Sequence, residues 1–299
     1  MENSFAKKTL SSIILGALLV TSAFPHPGSG IVVNRQGEVF FTDTGQGVWK
    51  IDTKGRLSYV PASLFHWMAI DAAGYFADSE KKFGEWFERV TPKGSKPALI
   101  MCSDFPLTMN LDGNLYYADT RRSSARVIRR TPDGKESVLA GGETFREISG
   151  ISSGPDSSVY IAGTGHVVTI EKITMDGTIS ILASPEMIGA SSDSTIEPPP
   201  ETETGYCRGL DVDSQGVVYV AATGSRRVLR ITPRGEVSTI LQAPSPWSPT
   251  GVAVFRGDVY VLEWRDAPAS KTEVRRAWIP RVRKIARDGK ITTLATVSR

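Results

Sequence analysis

Apolar residues in this chain arrive in short bursts separated by turns bearing glycine, aspartate or asparagine, and the same order of bursts recurs six times. Each unit reads as a short apolar strand, a Gly or Asp turn, an aromatic-rich strand, a third strand and a second turn. The first runs Gly30-Ile-Val-Val-Asn-Arg-Gln-Gly-Glu-Val-Phe-Phe-Thr-Asp43 and then Val48-Trp-Lys-Ile-Asp-Thr-Lys-Gly55. The third carries Asn110-Leu-Asp-Gly-Asn-Leu-Tyr-Tyr-Ala-Asp119, and the fifth Gly209-Leu-Asp-Val-Asp-Ser-Gln-Gly-Val-Val-Tyr-Val-Ala-Ala222. The second-turn glycines fall at Gly55, Gly94, Gly134, Gly177, Gly235 and Gly289, with spacings of 39, 40, 43, 58 and 54 residues. A period of about forty residues with roughly four strands per unit is that of a propeller blade. The 3.6-residue periodicity that a helical solenoid needs is absent.

The pattern therefore predicts an all-β fold, a six-bladed β-propeller with four-stranded antiparallel blades. One blade cannot bury both faces of its sheet, whereas six packed radially can. The blades span approximately residues 28–62, 63–101, 102–141, 145–184, 205–243 and 247–297, within a single domain over 24–299. Each unit holds its own four strands, so closure is expected to rest on side-chain packing between blades one and six. Two stretches interrupt the grammar. The run from Ser184 to Tyr206 contains Pro198-Pro-Pro200 and several acids, and Asp266 to Pro280 splits blade six. Each reads as a surface insertion or a cover over the central face.

Before the first unit, Lys7 and Lys8 precede an apolar stretch from Leu10 to Val20 and the small residues Thr21, Ser22 and Ala23. That order predicts a secretory signal peptide over residues 1–23. A periplasmic or extracellular protein without a stable membrane anchor after cleavage is the expectation. Among the 299 residues, Lys and Arg number 35 and Asp and Glu 32. So small a surplus gives no footprint for nucleic acid. Two cysteines, Cys102 and Cys207, are too few for a disulfide framework, and whether they meet is open. The expected state is a monomer.

Strand ends such as Phe-Thr-Asp-Thr44, Tyr-Ala-Asp-Thr120 and Val-Leu-Glu-Trp264, with the turns Thr-Pro-Asp-Gly134 and Thr-Pro-Arg-Gly235, resemble those of NHL-repeat propellers and the wider SMP-30/gluconolactonase-like group. The resemblance spans roughly residues 28 to 297. It implies the fold, and it implies activities as different as lactone hydrolysis, lyase chemistry and binding without catalysis. In the SMP-30-like lactonases a divalent metal sits at the channel mouth, but the Glu-Gly-Pro and Pro-Asn-Gly segments of those enzymes do not occur here.

Register in the repeat nominates side chains for the central face. Six residues past the first turn stand Asp43, Asp119, Gly163, Ala222 and Glu263, with Asp78 as the counterpart in blade two. Read as an arc, Asp43, Asp78, Asp119 and Glu263 form a candidate oxygen-ligand set for Ca²⁺ or another divalent cation. The alternative is that each carboxylate bonds its own turn. Just before the inner strands stand Ser29, His66, Phe105, Ser149, Arg208 and Thr250, with Asp104 and Glu147 nearby. His66 and Glu147 are the candidate catalytic pair, since imidazole beside carboxylate suits proton transfer near neutral pH. A structural polar network is the competing reading. Trp67, Asp104, Arg208 and Arg226 are candidate ligand contacts. The pairs Arg121-Arg122, Arg226-Arg227 and Arg275-Arg276 suit an anion or a solvated loop.

Neither a Gly-x-Ser-x-Gly elbow, nor a His-Glu-x-x-His helix, nor a Gly-rich phosphate loop is present. The primary functional expectation is a secreted propeller that binds a small molecule, glycan or protein on its central face. The alternative is a divalent-metal-dependent hydrolase or lactonase.

Overall fold

A computed structural model describes residues 27–77, 86–95, 97–121, 124–142, 147–164, 168–189, 206–266 and 278–298. They form six antiparallel sheets, five of them four-stranded and in sequential order. The all-β, six-bladed propeller is the observed fold, with one short helix, Pro185–Ile188, among the described residues.

Burial explains which strand takes which radial place. Second strands are buried along their whole length: Val39–Asp43, Leu115–Asp119 and Val218–Ala222 have no partly exposed residue. They are covered by neighbouring blades on both faces, so they read as continuous apolar and aromatic runs. Outer strands such as Leu57–Val60 and Glu136–Gly141 are largely solvent-facing. Six apolar clusters hold the blades, one for each pair of neighbours. The cluster of Ile31, Phe41, Leu262, Trp264 and Val297 joins blade six to blade one, so the ring closes through side chains as expected.

Blade two departs from the expected meander. Its described strands lie in the order Trp67–Asp71, Ala98–Cys102, Phe87–Val90, so the last strand in sequence occupies the second radial place. Residues Tyr75–Ala77, just before the Asp78 read as the ring counterpart in blade two, form a turn. The reason lies in composition. The run Ala98-Leu-Ile-Met-Cys102 is apolar throughout and is buried throughout. At the rim it would expose about half of that surface, whereas the second place covers both faces.

The six first strands line a central channel of about 170 Å³. Asp211 lies in its wall and accepts hydrogen bonds from Ser152 Oγ (2.8 Å) in blade four and Val254 N (2.7 Å) in blade six. Burial pushes its carboxyl above the ordinary range.

Candidate active site

The lead-in segments to the first strands converge at one end of the channel, stitched blade to blade. Ser29 and Gly30 donate their N–H groups to His66 O at 2.9 and 2.8 Å, and Gly209 N donates to Thr250 O at 2.9 Å. Ser149 Oγ donates to Cys207 O at 2.6 Å, and Thr250 Oγ to Gly28 O at 2.8 Å. Glycine permits the approach. A Cβ at Gly150 would lie 2.1 Å from Arg208 O, and one at Gly251 would lie 2.3 Å from Ser29 O.

Between blades two, three, four and five these segments enclose an open cavity of about 500 Å³, lined by His66, Trp67, Asp104, Glu147, Tyr206 and Arg208 among others. His66 and Arg208, nominated from register, and their neighbours Trp67, Asp104 and Glu147 thus share one wall. Asp104 and Glu147 are exposed, while His66, Trp67 and Arg208 are half-buried.

His66 Nδ1 lies 2.8 Å from Ser103 O. A carbonyl can only accept, so Nδ1 carries the hydrogen, and in the neutral ring Nε2 is the basic nitrogen. Arg208 is held on two sides. Its Nε donates to Tyr206 Oη at 3.0 Å, its Nη1 to Pro27 O at 2.5 Å, and its guanidinium lies over the Tyr206 ring. Tyr206 was not nominated from sequence. The available signal was its place two residues before Arg208, the spacing that puts neighbours of an extended segment on one side.

Arg226 is elsewhere. It occupies the left-handed region (φ 54°) in the turn after the second strand of blade five, and its carbonyl accepts from Ala243 N at 2.8 Å. It does not line the cavity.

The acidic positions are arranged differently from the ligand arc that register suggests. Asp43 accepts from Gly45 N at 2.9 Å and Trp49 Nε1 at 3.3 Å, both in its own blade. Asp119 accepts from Arg121 Nε at 2.8 Å and Arg126 Nη2 at 2.7 Å. These guanidiniums, Arg121 foremost, hold its carboxyl well below the usual carboxylate range. Glu263 is fully buried and accepts from Arg281 Nε at 2.5 Å and from Arg283 Nε and Nη2 at 2.8 and 2.6 Å.

Asp78 lies outside the described residues. In blade two, strand register puts Ser103 where Asp43 stands in blade one, because Met68 pairs Met101 as Ile31 pairs Phe41. Among the described residues no three of His, Cys, Asp and Glu come together as a metal set. The donor chemistry at these positions does not suit a divalent cation, since Asp119 and Glu263 are each already neutralised by two guanidiniums. Strand pairing is the cause: Arg126 lies directly across from Asp119, and Arg281 from Glu263.

Cys102 and Cys207 are unpaired and lie in different inter-blade clusters. Burial pushes their thiols up to about 11 and about 12.

No protein-family model and no curated protein sequence matches the chain. Solved structures do. A gluconolactonase from Xanthomonas campestris superposes with a TM-score of 0.55 at 14% identity, covering 80% of this chain and 84% of that one. The chain shares the gluconolactonase-type six-bladed propeller fold. Regucalcin from Agrobacterium tumefaciens, a calcium-binding protein, gives 0.51 at 13% identity over 83% and 84% of the two chains. A streptogramin B lyase gives 0.52 at 15% identity over 93% and 86%. At these identities the likeness is one of fold.

Proposed function

We propose that this propeller is an enzyme that cleaves an ester or lactone bond of a small molecule held in the His66 cavity. The carrying observation is the convergence of His66, Asp104, Glu147 and Arg208, from four successive blades, on one open cavity. Scattered surface residues would not meet in this way. The gluconolactonase and the streptogramin B lyase, both similar in fold, favour catalysis over binding alone.

In this reading His66 Nε2 takes a proton from a water as the water oxygen bonds to the substrate carbonyl carbon. Arg208 stabilises the negative charge that develops on the carbonyl oxygen. The carbon–oxygen bond to the alcohol then breaks, and the proton held on His66 passes to the leaving oxygen. Glu147 and Asp104 supply the negative charge that favours the transient imidazolium. Trp67 and Tyr206 give flat walls for an apolar or sugar-like ring. No step is routed through a metal, because the ring-position acids do not fit one.

The test is a screen of sugar lactones, cyclic peptide lactones and aryl esters with the purified protein, repeated with His66→Gln. Turnover that falls at least about 100-fold in the variant, with the melting temperature unchanged, is the expected result. Turnover that survives the substitution would sink the assignment of His66. Saturable binding without turnover would return the cavity to a binding role. We also read residues 1–23 as a secretory leader, which N-terminal sequencing of exported protein checks.

A further inference from the structure

Blade six, which contributes no residue to the His66 cavity, carries a separate concentration of charge on the side it shares with blade five. Arg265 lies on its second strand, Asp258–Asp266, and Arg281 on its third, Trp278–Ile285. Alternation along the second strand places Arg265 and Glu263 on the same face as Val259 and Val261, which pack in the cluster shared with blade five. Arg281 pairs directly with Glu263 and so shares that face.

Both guanidiniums lie against one indole. The Arg281 guanidinium carbon is 3.9 Å from the Trp247 ring centroid, and that of Arg265 is 5.2 Å away. Fully buried Glu263 accepts from Arg281 Nε and from Arg283 Nε and Nη2, and from no other described residue. Arg265 has no ion pair with a described residue. Arg281 Nη2 is buried and has no hydrogen-bond partner. On the facing side of blade five, the end of the second strand carries Ala221, which packs in that shared cluster and offers no counter-charge.

Among the described residues, three guanidiniums thus share this face with one carboxylate. A buried guanidinium N–H without an acceptor is costly, and such donors are satisfied in the great majority of proteins. The cost is removed if an acceptor from outside the chain occupies the corner, and a guanidinium fork is matched in shape and charge to an oxyanion.

We propose that the Arg265–Trp247–Arg281 corner of blade six binds the oxyanion group, carboxylate or phosphate, of a small ligand. Its oxygens accept from Arg281 Nη2 and from the Arg265 guanidinium, while Trp247 walls the site on one side and shields those contacts from water.

The experiment uses the full chain. Melting temperature and tryptophan fluorescence are followed during titration with inorganic phosphate and, separately, acetate, with ionic strength held constant by chloride. A saturable rise in melting temperature with at least one anion is expected, accompanied by a fluorescence change that Trp247→Phe removes. The anion that responds decides between tetrahedral and planar ligands. Arg265→Gln, at a position with no structural ion pair, is expected to weaken binding at least tenfold while leaving the anion-free melting temperature unchanged. Arg281→Lys keeps a cation beside Glu263 but removes Nη2, and it should weaken binding likewise. His66→Gln should leave the anion response intact, which separates this corner from the cavity. The proposal is overturned if neither anion acts beyond chloride, or if Arg265→Gln binds as the wild type does. Should Arg281→Lys fail to fold, Arg265→Gln still decides.

Discussion

Two sets of carboxylates occupy the same end of this propeller and live in opposite conditions. Asp119 and Glu263, at the ends of second strands, are buried and clamped by arginines of their own blades. Asp104, on the lead-in to a first strand, and Glu147, the first residue of one, are exposed on the cavity wall. An acid whose oxygens are filled by guanidiniums from the adjacent strand is a structural group, however close it stands to a channel mouth. An acid on a lead-in segment projects from a backbone that neighbouring blades already fix, so its oxygens remain available to a ligand. Stability should therefore be sensitive to the first set, and chemistry to the second.

The largest effect is expected at Glu263. Replacing it with Ala leaves Arg281 and Arg283 without their shared counter-ion in a buried site, a loss of about 3–5 kcal/mol. Denaturant unfolding of Glu263→Ala measures it. A loss below about 1 kcal/mol would break the contrast, because the clamp would then behave as a surface ion pair.

Gly150→Ala is next. Its methyl would meet Arg208 O, so blade four must shift against blade five at the cavity wall, at a cost of about 1–3 kcal/mol. Because Arg208 shares that wall, turnover should fall together with stability. Stability lost with kinetics untouched would show that the cavity tolerates movement there.

Asp119→Asn sharpens the comparison through pH. The folded carboxyl lies well below its ordinary value of about 3.9, so its stabilisation is fully present above that value. It is lost as pH falls toward the folded value. The stability gap between wild type and variant should thus be widest near neutral pH, on the order of 1–2 kcal/mol, and close on acidification. A gap that widens in acid would reverse the sign of the argument.

The smallest stability effects belong to the cavity acids. Glu147→Gln and Asp104→Asn should each change unfolding free energy by less than about 0.5 kcal/mol. Both should lower turnover in whichever substrate the screen identifies. An unfolding cost as large as that of Glu263→Ala would erase the distinction between the two sets.

What was legible in the sequence follows from how local each signal is. The repeat of strands and turns is a local pattern, and Gly55, Gly134 and Gly235 mark it because their turns need positive φ. Register carried from blade to blade then brought His66, Asp104, Glu147 and Arg208 to one end of the channel, since radial symmetry makes equivalent positions converge. Arg226 stands apart from that cavity because its nomination came from a loop pair, which radial register does not constrain. The arginine partners of Glu263 were also missed, though Arg281 and Arg283 alternate along one face of the strand paired with it.

Blade two marks the boundary most clearly. Its residues specify strands and even their burial, yet the choice of Ala98–Cys102 over the run near Phe76 for the second radial place depends on which strand the neighbouring blades cover. By itself, then, the sequence determined the all-β class, the sixfold repeat and the residues at the channel mouth, because period and turn chemistry are written along the chain. Only the tertiary structure decided which acids are spent on arginines and which line a cavity. That outcome is set by cross-strand and cross-blade neighbours, which no local pattern encodes.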